Sequence, residues 1–196
     1  MAIDSPRTAI RTRILAGARE LFRSKGVRGV TMSDVARRAD CSRQLVYKVF
    51  FDRRELILAA AVERITEIAD VAAADTPSAS FSDAFVDVSV QIIETLRNDP
   101  ELAALLADAS PVTLHDALWS PELVDRAIQF WRPWLEHGRS TGVLRTDLSN
   151  RDLADWLHTV YASMILRRNI PPDDERSMIQ RFVLTSLAMA TTAADT

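Results

Sequence analysis

The stretch LFRSKGVRGVTMSDVARRADCSRQLVYKVFFDRRELILAAAV, residues 21–62, decides the reading of this chain. Gly26 follows Lys25 and supplies the left-handed residue that ends a helix arriving from the N-terminal side. Thr31 has Asp34 three residues on, a capping box with Asp in the Glu/Gln place, and it opens a short helix from about Met32 to Ala39. Asp40-Cys41 make a turn, and Ser42 caps a third helix, about Arg43 to Val49. Phe50-Phe51-Asp52 break it. Asp52 then caps a long fourth helix carrying Leu56, Ile57, Ala60, Ala61, Arg64, Ile65 and Ile68.

Helices as short as the second and third cannot bury their own faces. The first helix begins at Ser5-Pro6, an N-cap followed by Pro at N1, and carries Ile10, Ile14, Ala18, Leu21 and Phe22 on one face. It and the fourth helix supply the missing cover, with Val35, Ala36, Ala39, Leu45, Val46 and Phe50 as the small core. That package is a helix-turn-helix, whose physical use is to push the N-terminus of its second helix into a DNA major groove. Here that helix opens Ser42-Arg43-Gln44. Arg pairs in a fork with guanine edges and Gln with adenine. Tyr47 and Lys48, one turn later, reach backbone phosphate, and Thr31 offers a hydroxyl and helix N-terminal amides to another. The plainer alternative is that Arg43, Gln44 and Lys48 are solvated positions, Tyr47 is core, and Thr31 is a cap only.

Charge separates the two ends of the chain. The whole carries −3, but residues 1–56 hold 13 Lys/Arg against 6 Asp/Glu, and the remainder is strongly acidic. A basic head on an acidic body suits one surface that meets a polyanion and another that does not.

Outside the quoted stretch the pattern stays helical. Thr76-Pro77-Ser78-Ala79-Ser80 is the clearest break. Further helices are expected over Phe81–Arg97, with Phe85, Val88, Ile92, Ile93 and Leu96 apolar, over Glu101–Asp108, and from Pro121 to about His137. Gly138 and Gly142 flank a loop. Another helix follows the Ser149 cap, with Leu153, Trp156, Leu157, Val160, Tyr161, Met164 and Ile165 as its stripe, and a last one covers about Asp174 to Ala190. The fold class is all-α, about nine helices and no strand: a three-helix DNA-binding domain at 1–56 and a helical ligand-binding and dimerisation domain at 57–196.

Many positions of residues 21–62 resemble the DNA-binding segment of the TetR family of transcriptional regulators: Leu21-Phe22, Gly26, Thr31, Val35-Ala36, Ala39, Ser42, Tyr47, Phe50 and Glu55-Leu56. Three residues depart from it. Asp40 stands where a glycine is common, Leu45 where a polar residue is usual, and Phe51 where a basic or small residue is usual, leaving Arg53 or Arg54 to replace a phosphate contact. The resemblance implies a repressor released from a palindromic operator in double-stranded DNA by a small ligand held in the helical body. It also implies a homodimer paired through its last two helices, with Leu157, Tyr161, Met178, Phe182, Thr185 and Met189 as candidates.

Phe85, Trp119, Phe130, Trp131, Trp134, Trp156 and Met164 are the candidate wall for an apolar ligand, or equally a stripe of core. Asp155 and His158 have the i, i+3 spacing of a helical metal site, but one such pair is too few for a di-iron bundle. One cysteine, Cys41, excludes an internal disulfide and a Cys-based zinc site. No nucleophile turn, P-loop or dinucleotide fingerprint is present, so neither enzyme activity nor a cofactor is expected. No apolar run spans a bilayer and no signal peptide opens the chain, which points to the cytoplasm. The competing class is an all-helical carrier or enzyme for an apolar small molecule with an incidental basic head.

Overall fold

A computed structural model describes residues 6–75, 80–107, 110–167 and 169–189. The chain is a succession of helices: α1 (Pro6–Lys25), α2 (Met32–Arg38), α3 (Arg43–Val49), α4 (Arg53–Asp75), α5 (Phe81–Asn98), α6 (Pro100–Leu105), α7 (Leu114–Leu118), α8 (Pro121–Ser140), α9 (Asn150–Leu166) and α10 (Pro172–Met178). α10 runs on through a π-helical stretch (Ile179–Leu184) into α11 (Thr185–Leu187). Among the described residues there is no strand, only an isolated antiparallel bridge between Leu144 and Ala188. The expected Ser5 cap and the break at 76–79 lie outside the described residues, as do the expected helix ends Asp108 and Ala190; the helices concerned end earlier, at Leu105 and Leu187.

The side chains that end and begin helices do what their chemistry dictates. Thr31, Ser42, Asp99, Ser120 and Ser149 each accept a hydrogen bond from an amide of the following first turn. Asp52 does the same for the Glu55 amide at the head of α4, 2.7 Å. Gly26 is left-handed at φ 70° after α1, as is Gly142 at φ 72° after α8.

The chain divides into two compact units, one of residues 1–65 with 99–117, the other of 66–98 with 118–196. In the first, Ile14, Ala18, Phe22, Val35, Val46, Phe50, Leu56 and Ile57 form one core with Leu105 and Val112, which the chain returns to it after α5. α6 is also tied in by charge. Arg64 on α4 bonds Asp99 through Nη2 at 2.6 Å and Nε at 3.1 Å, and Arg19 on α1 bonds Glu101 at 2.7 Å. Burial works to raise the pKa of Asp99. The Arg64 bonds and the α6 amides of Leu102 and Glu101 overcome it, leaving the carboxyl below its ordinary value.

In the second unit, α5, α8 and α9 enclose Phe85, Val88, Ile93, Trp131, Leu135, Leu153, Leu157 and Ile165. Arg97 of α5 donates to the carbonyls of Met164 and Arg167 at the end of α9, the first of which also accepts the Arg167 amide, and lies 2.5 Å from the buried Glu175 of α10. Arg176 pairs with Asp87 at 2.7 Å, so α10 is clamped to α5 twice. After α8 the chain lies along the final turn, Arg145 N–H to the Leu187 carbonyl at 2.8 Å and Met189 N–H to that of Val143 at 3.2 Å.

Two expectations about boundaries are corrected. Gly138 lies inside α8, not beside a loop: a Cβ there would stand 2.6 Å from Leu144 and 2.7 Å from Phe81, so its hydrogen serves close packing and the helix continues to Ser140. The last helix begins at Pro172 and widens into a π turn before ending at Leu187.

Gly138→Val is therefore expected to lower stability in chemical denaturation by about 1–3 kcal/mol through overpacking. Gly138→Ala should cost less, because the gain in helix propensity of about 1 kcal/mol offsets part of the clash. Arg64→Met leaves Asp99 buried without its cation and is expected to cost about 2–3 kcal/mol, somewhat less than a fully buried pair because Arg64 is half-buried. A carboxyl with a depressed folded pKa stabilises above its unfolded value, near 3.9, and stops doing so as pH falls through the folded value. Acid unfolding of the wild type below about pH 4 should thus be blunted in Arg64→Met.

Candidate nucleic-acid interface

The exposed edge of the first unit is built by three local devices. At the head of α2 the Thr31 hydroxyl accepts from the Asp34 amide at 3.2 Å, and the Thr31 amide donates to the Asp34 carboxylate at 3.0 Å. Hydrogen bonds from the Thr31 hydroxyl and amide hold the Asp34 carboxyl below its ordinary pKa. The turn after α2 passes through Asp40 in the left-handed region, φ 47°. Asp tolerates that conformation better than most residues, which is how the chain manages without glycine here. Ser42 then caps α3, accepting from the Leu45 amide at 3.1 Å.

The register of α3 follows. Val46 is fully buried and Leu45 and Val49 are half-buried, so the seven-residue helix is anchored along one side. Ser42, Arg43, Gln44, Tyr47 and Lys48 all face solvent. Leu45, a departure from the polar residue usual in the family resemblance, is half-buried because this position turns partly inward. The Arg43 guanidinium lies over the Tyr47 ring, 5.4 Å from its centroid, with Nη2 3.5 Å from the hydroxyl. Neither Arg43 nor Lys48 is ion-paired among the described residues, whereas Arg37 pairs with Asp34 and Arg38 with Glu20.

Arg53 and Arg54 are placed differently from α3. Arg53 donates to the Val27 carbonyl, and Arg54 lies 3.3 Å from Asp116. The Val27 bond ties the head of α4 to the short turn that precedes α2. Cys41 is half-buried against the core, its amide donating to the Ala36 carbonyl at 3.0 Å.

The second unit gathers part of the expected aromatic set. Trp131 is buried, stacked on Tyr161 with centroids 5.3 Å apart, and meets Phe85 at 5.2 Å, Phe130 at 4.9 Å and Trp134 at 6.5 Å. Met164 is buried on α9. Trp119 instead stands edge-on to His158, 5.5 Å away, and Trp156 is exposed on the far side of α9. Two residues expected at the contact between copies, Leu157 and Tyr161, are buried inside the protomer, at 0 % and 7 % exposure. Trp156 and Leu157 are one residue and about 100° apart, and the apolar pattern of α9 covers both faces. Met178 is half-buried, and Phe182, Thr185 and Met189 are exposed.

Two buried polar groups were not legible. Ser89 donates to the Phe85 carbonyl at 2.6 Å, so its oxygen accepts the Tyr161 hydroxyl at 2.8 Å. Burial holds that phenol above its ordinary pKa. His158 bonds the Leu118 carbonyl through Nε2 at 2.8 Å, and burial lowers its pKa. His158 is thus a neutral core group. The described residues hold no cluster of three or more metal-ligating side chains.

A capped pair of short helices presenting unpaired cations and an amide side chain along an exposed edge defines a helix-turn-helix DNA-binding protein. The family model for bacterial regulatory proteins of the tetR family matches residues 14–60, the span from the middle of α1 into α4. Residues 14–60 therefore carry a DNA-binding segment of the tetR type, and the relatives to which the chain is similar over most of its length are named as HTH-type transcriptional regulators. The chain is 27 % identical over 191 residues to the uncharacterized HTH-type transcriptional regulator Rv1255c of Mycobacterium tuberculosis, covering 93 % of this chain and 87 % of that one. In fold it is similar to the repressor QsdR of R. erythropolis, with a TM-score of 0.73, 18 % identity and coverage of 94 % and 98 %. It is also similar to RolR in complex with resorcinol, with a TM-score of 0.65, 16 % identity and coverage of 95 % and 91 %. No helix among the described residues is long and apolar enough to cross a membrane.

Cap and reader separate experimentally. Ser42→Ala is expected to lower the melting temperature, at a cost of about 1 kcal/mol. Arg43→Ala, removing an exposed side chain, should leave it within about 0.5 kcal/mol of wild type.

Proposed function

We infer that the protein is a repressor that holds a palindromic operator as a homodimer and lets it go when a small apolar ligand enters the helical body. The observation that carries this is the outward edge of α3, where Arg43, Gln44, Tyr47 and Lys48 stand exposed beside two capped helix N-termini. Arg43 and Gln44 read base edges. Tyr47, Lys48, Thr31 and Ser42 hold phosphates, and Arg53 adds its remaining donors from the head of α4. A DNA target places the protein in the cytoplasm.

Pairing of two copies is assigned to the exposed apolar residues Phe182 and Met189 with Met178 and Thr185, and to Trp156 on α9. A two-fold contact of this kind sets two α3 helices about 34 Å apart, one helical turn of DNA. Phe85, Phe130, Trp131 and Trp134 are the ligand wall. That RolR was solved with resorcinol supports a small ligand, and the aromatic cluster suits an apolar or aromatic one. The ligand is taken to act by tilting α4, whose residues 53–75 belong in part to each unit. Moving operator occupancy from mostly bound to mostly free takes about 5.5 kcal/mol of differential affinity. Losing a few charge-assisted phosphate contacts in each half-site supplies that.

The test begins with genomic fragments selected on the purified protein. Affinity for the selected duplex should fall with salt, with a log–log slope near −0.9 for each phosphate neutralised. Arg43→Ala should relax base preference at one position per half-site, and Lys48→Ala should weaken all sequences alike and flatten the slope by about one unit. A protein that selects no sequence and shows no salt dependence is not a repressor.

A further inference from the structure

Phe51 is 83 % exposed, more than any other large apolar side chain among the described residues. Its position is nonetheless set. Phe50, the C-cap of α3, is extended at φ −126° and ψ 117° with its ring fully buried. In extended backbone the next side chain leaves on the opposite side. The Phe51 amide donates to the Glu55 carboxylate at 2.5 Å, which pins the turn between α3 and α4. The ring comes four and three residues after the exposed Tyr47 and Lys48 in the chain, just past the end of α3.

The core makes no use of this ring, so anything that meets it comes from outside. The flanking charges choose among occupants. Among the described residues Lys48 and Arg43 have no carboxylate partner, while of the two arginines that follow Phe51 in the chain Arg54 pairs with Asp116 and Arg53 donates to the Val27 carbonyl. A second copy docking here by a two-fold would set like charges against each other. A nucleic-acid strand would bring phosphates for the cations and an apolar face for the ring, since the thymine methyl lies in the major groove and the deoxyribose beside it.

We propose that Phe51 is an apolar DNA contact at the edge of each half-site, its ring set against a thymine methyl or the neighbouring deoxyribose. The contact rests on α3 being the recognition helix. It replaces charge with dispersion and burial at this position, so it adds affinity without adding salt dependence.

The experiment uses the full chain and a duplex selected from genomic fragments, with affinity read by fluorescence anisotropy at several salt concentrations. Phe51→Ala should bind about tenfold more weakly with an unchanged salt slope and an unchanged melting temperature, and Phe51→Leu should keep most of the affinity. Replacing each thymine by deoxyuridine in turn separates the two apolar sources. If one position per half-site weakens wild type but not Phe51→Ala, the methyl is the contact; a uniform response to the replacements, with the tenfold loss intact, assigns the deoxyribose. Wild-type affinity in Phe51→Ala, or a loss that comes with a shallower salt slope, overturns the contact alone. A wild-type chain that selects no duplex overturns the recognition-helix reading and this contact with it.

Discussion

Seven residues make two turns of helix, too few hydrogen bonds to repay the ordering of their own ends. α2 and α3 are both that short, and everything the first unit does depends on how they are held. Each gains a side-chain cap at its head, from Thr31 and Ser42, and each contributes a buried residue, Val35 and Val46, to a core closed by α1 and α4. Because the caps are spent on backbone amides and the apolar side is spent on the core, the remaining face of α3 is left entirely to its polar side chains. The exposure of Arg43, Gln44, Tyr47 and Lys48 follows from that arithmetic of faces.

The same logic runs in the second unit with charge in place of caps. α9 ends at Leu166, and Arg97 reaches over from α5 to its end, donating to the carbonyls of Met164 and of the C-cap residue Arg167. The cation that does this is itself balanced by Glu175 of α10. One guanidinium thereby ties together the helix that carries Phe85, the helix that carries Tyr161, and the start of the last helical stretch. Around it the aromatic rings pack by tilted and stacked contacts, and the Ser89–Tyr161 hydrogen bond meets the polar need of the phenol in their midst.

The chain crosses between the two units at three places: within α4 at 65/66, between α5 and α6 at 98/99, and in α7 at 117/118. The middle crossing falls on Asp99, which caps α6 and is bound by Arg64 one residue before the first crossing. In the sequence Arg64 sits among the apolar positions of the fourth helix, and nothing about its spacing marks a partner 35 residues away. Buried ion pairs of this sort are written in two distant segments, and periodicity speaks only of one segment at a time.

The local decisions could be read from the chain alone. Thr31, Gly26, Ser42, Asp52, Ser120 and Ser149 each act within four residues, through hydrogen bonds or a left-handed φ, so their reading needed no neighbours beyond the chain's own next turn. The all-helical class and the outward α3 edge came with them, since a short helix with one apolar side has only one way to face. Tertiary structure decided which of two apolar faces turns inward. Along α9 both Trp156 and Leu157 satisfy a helical stripe, and only the packing of α5 and α8 chose Leu157 and Tyr161 for the interior. It likewise kept α8 helical through Gly138, because a missing Cβ records a close neighbour without naming Leu144 or Phe81. Local chemistry is carried by adjacent residues, whereas burial belongs to surfaces that meet only after the chain has folded.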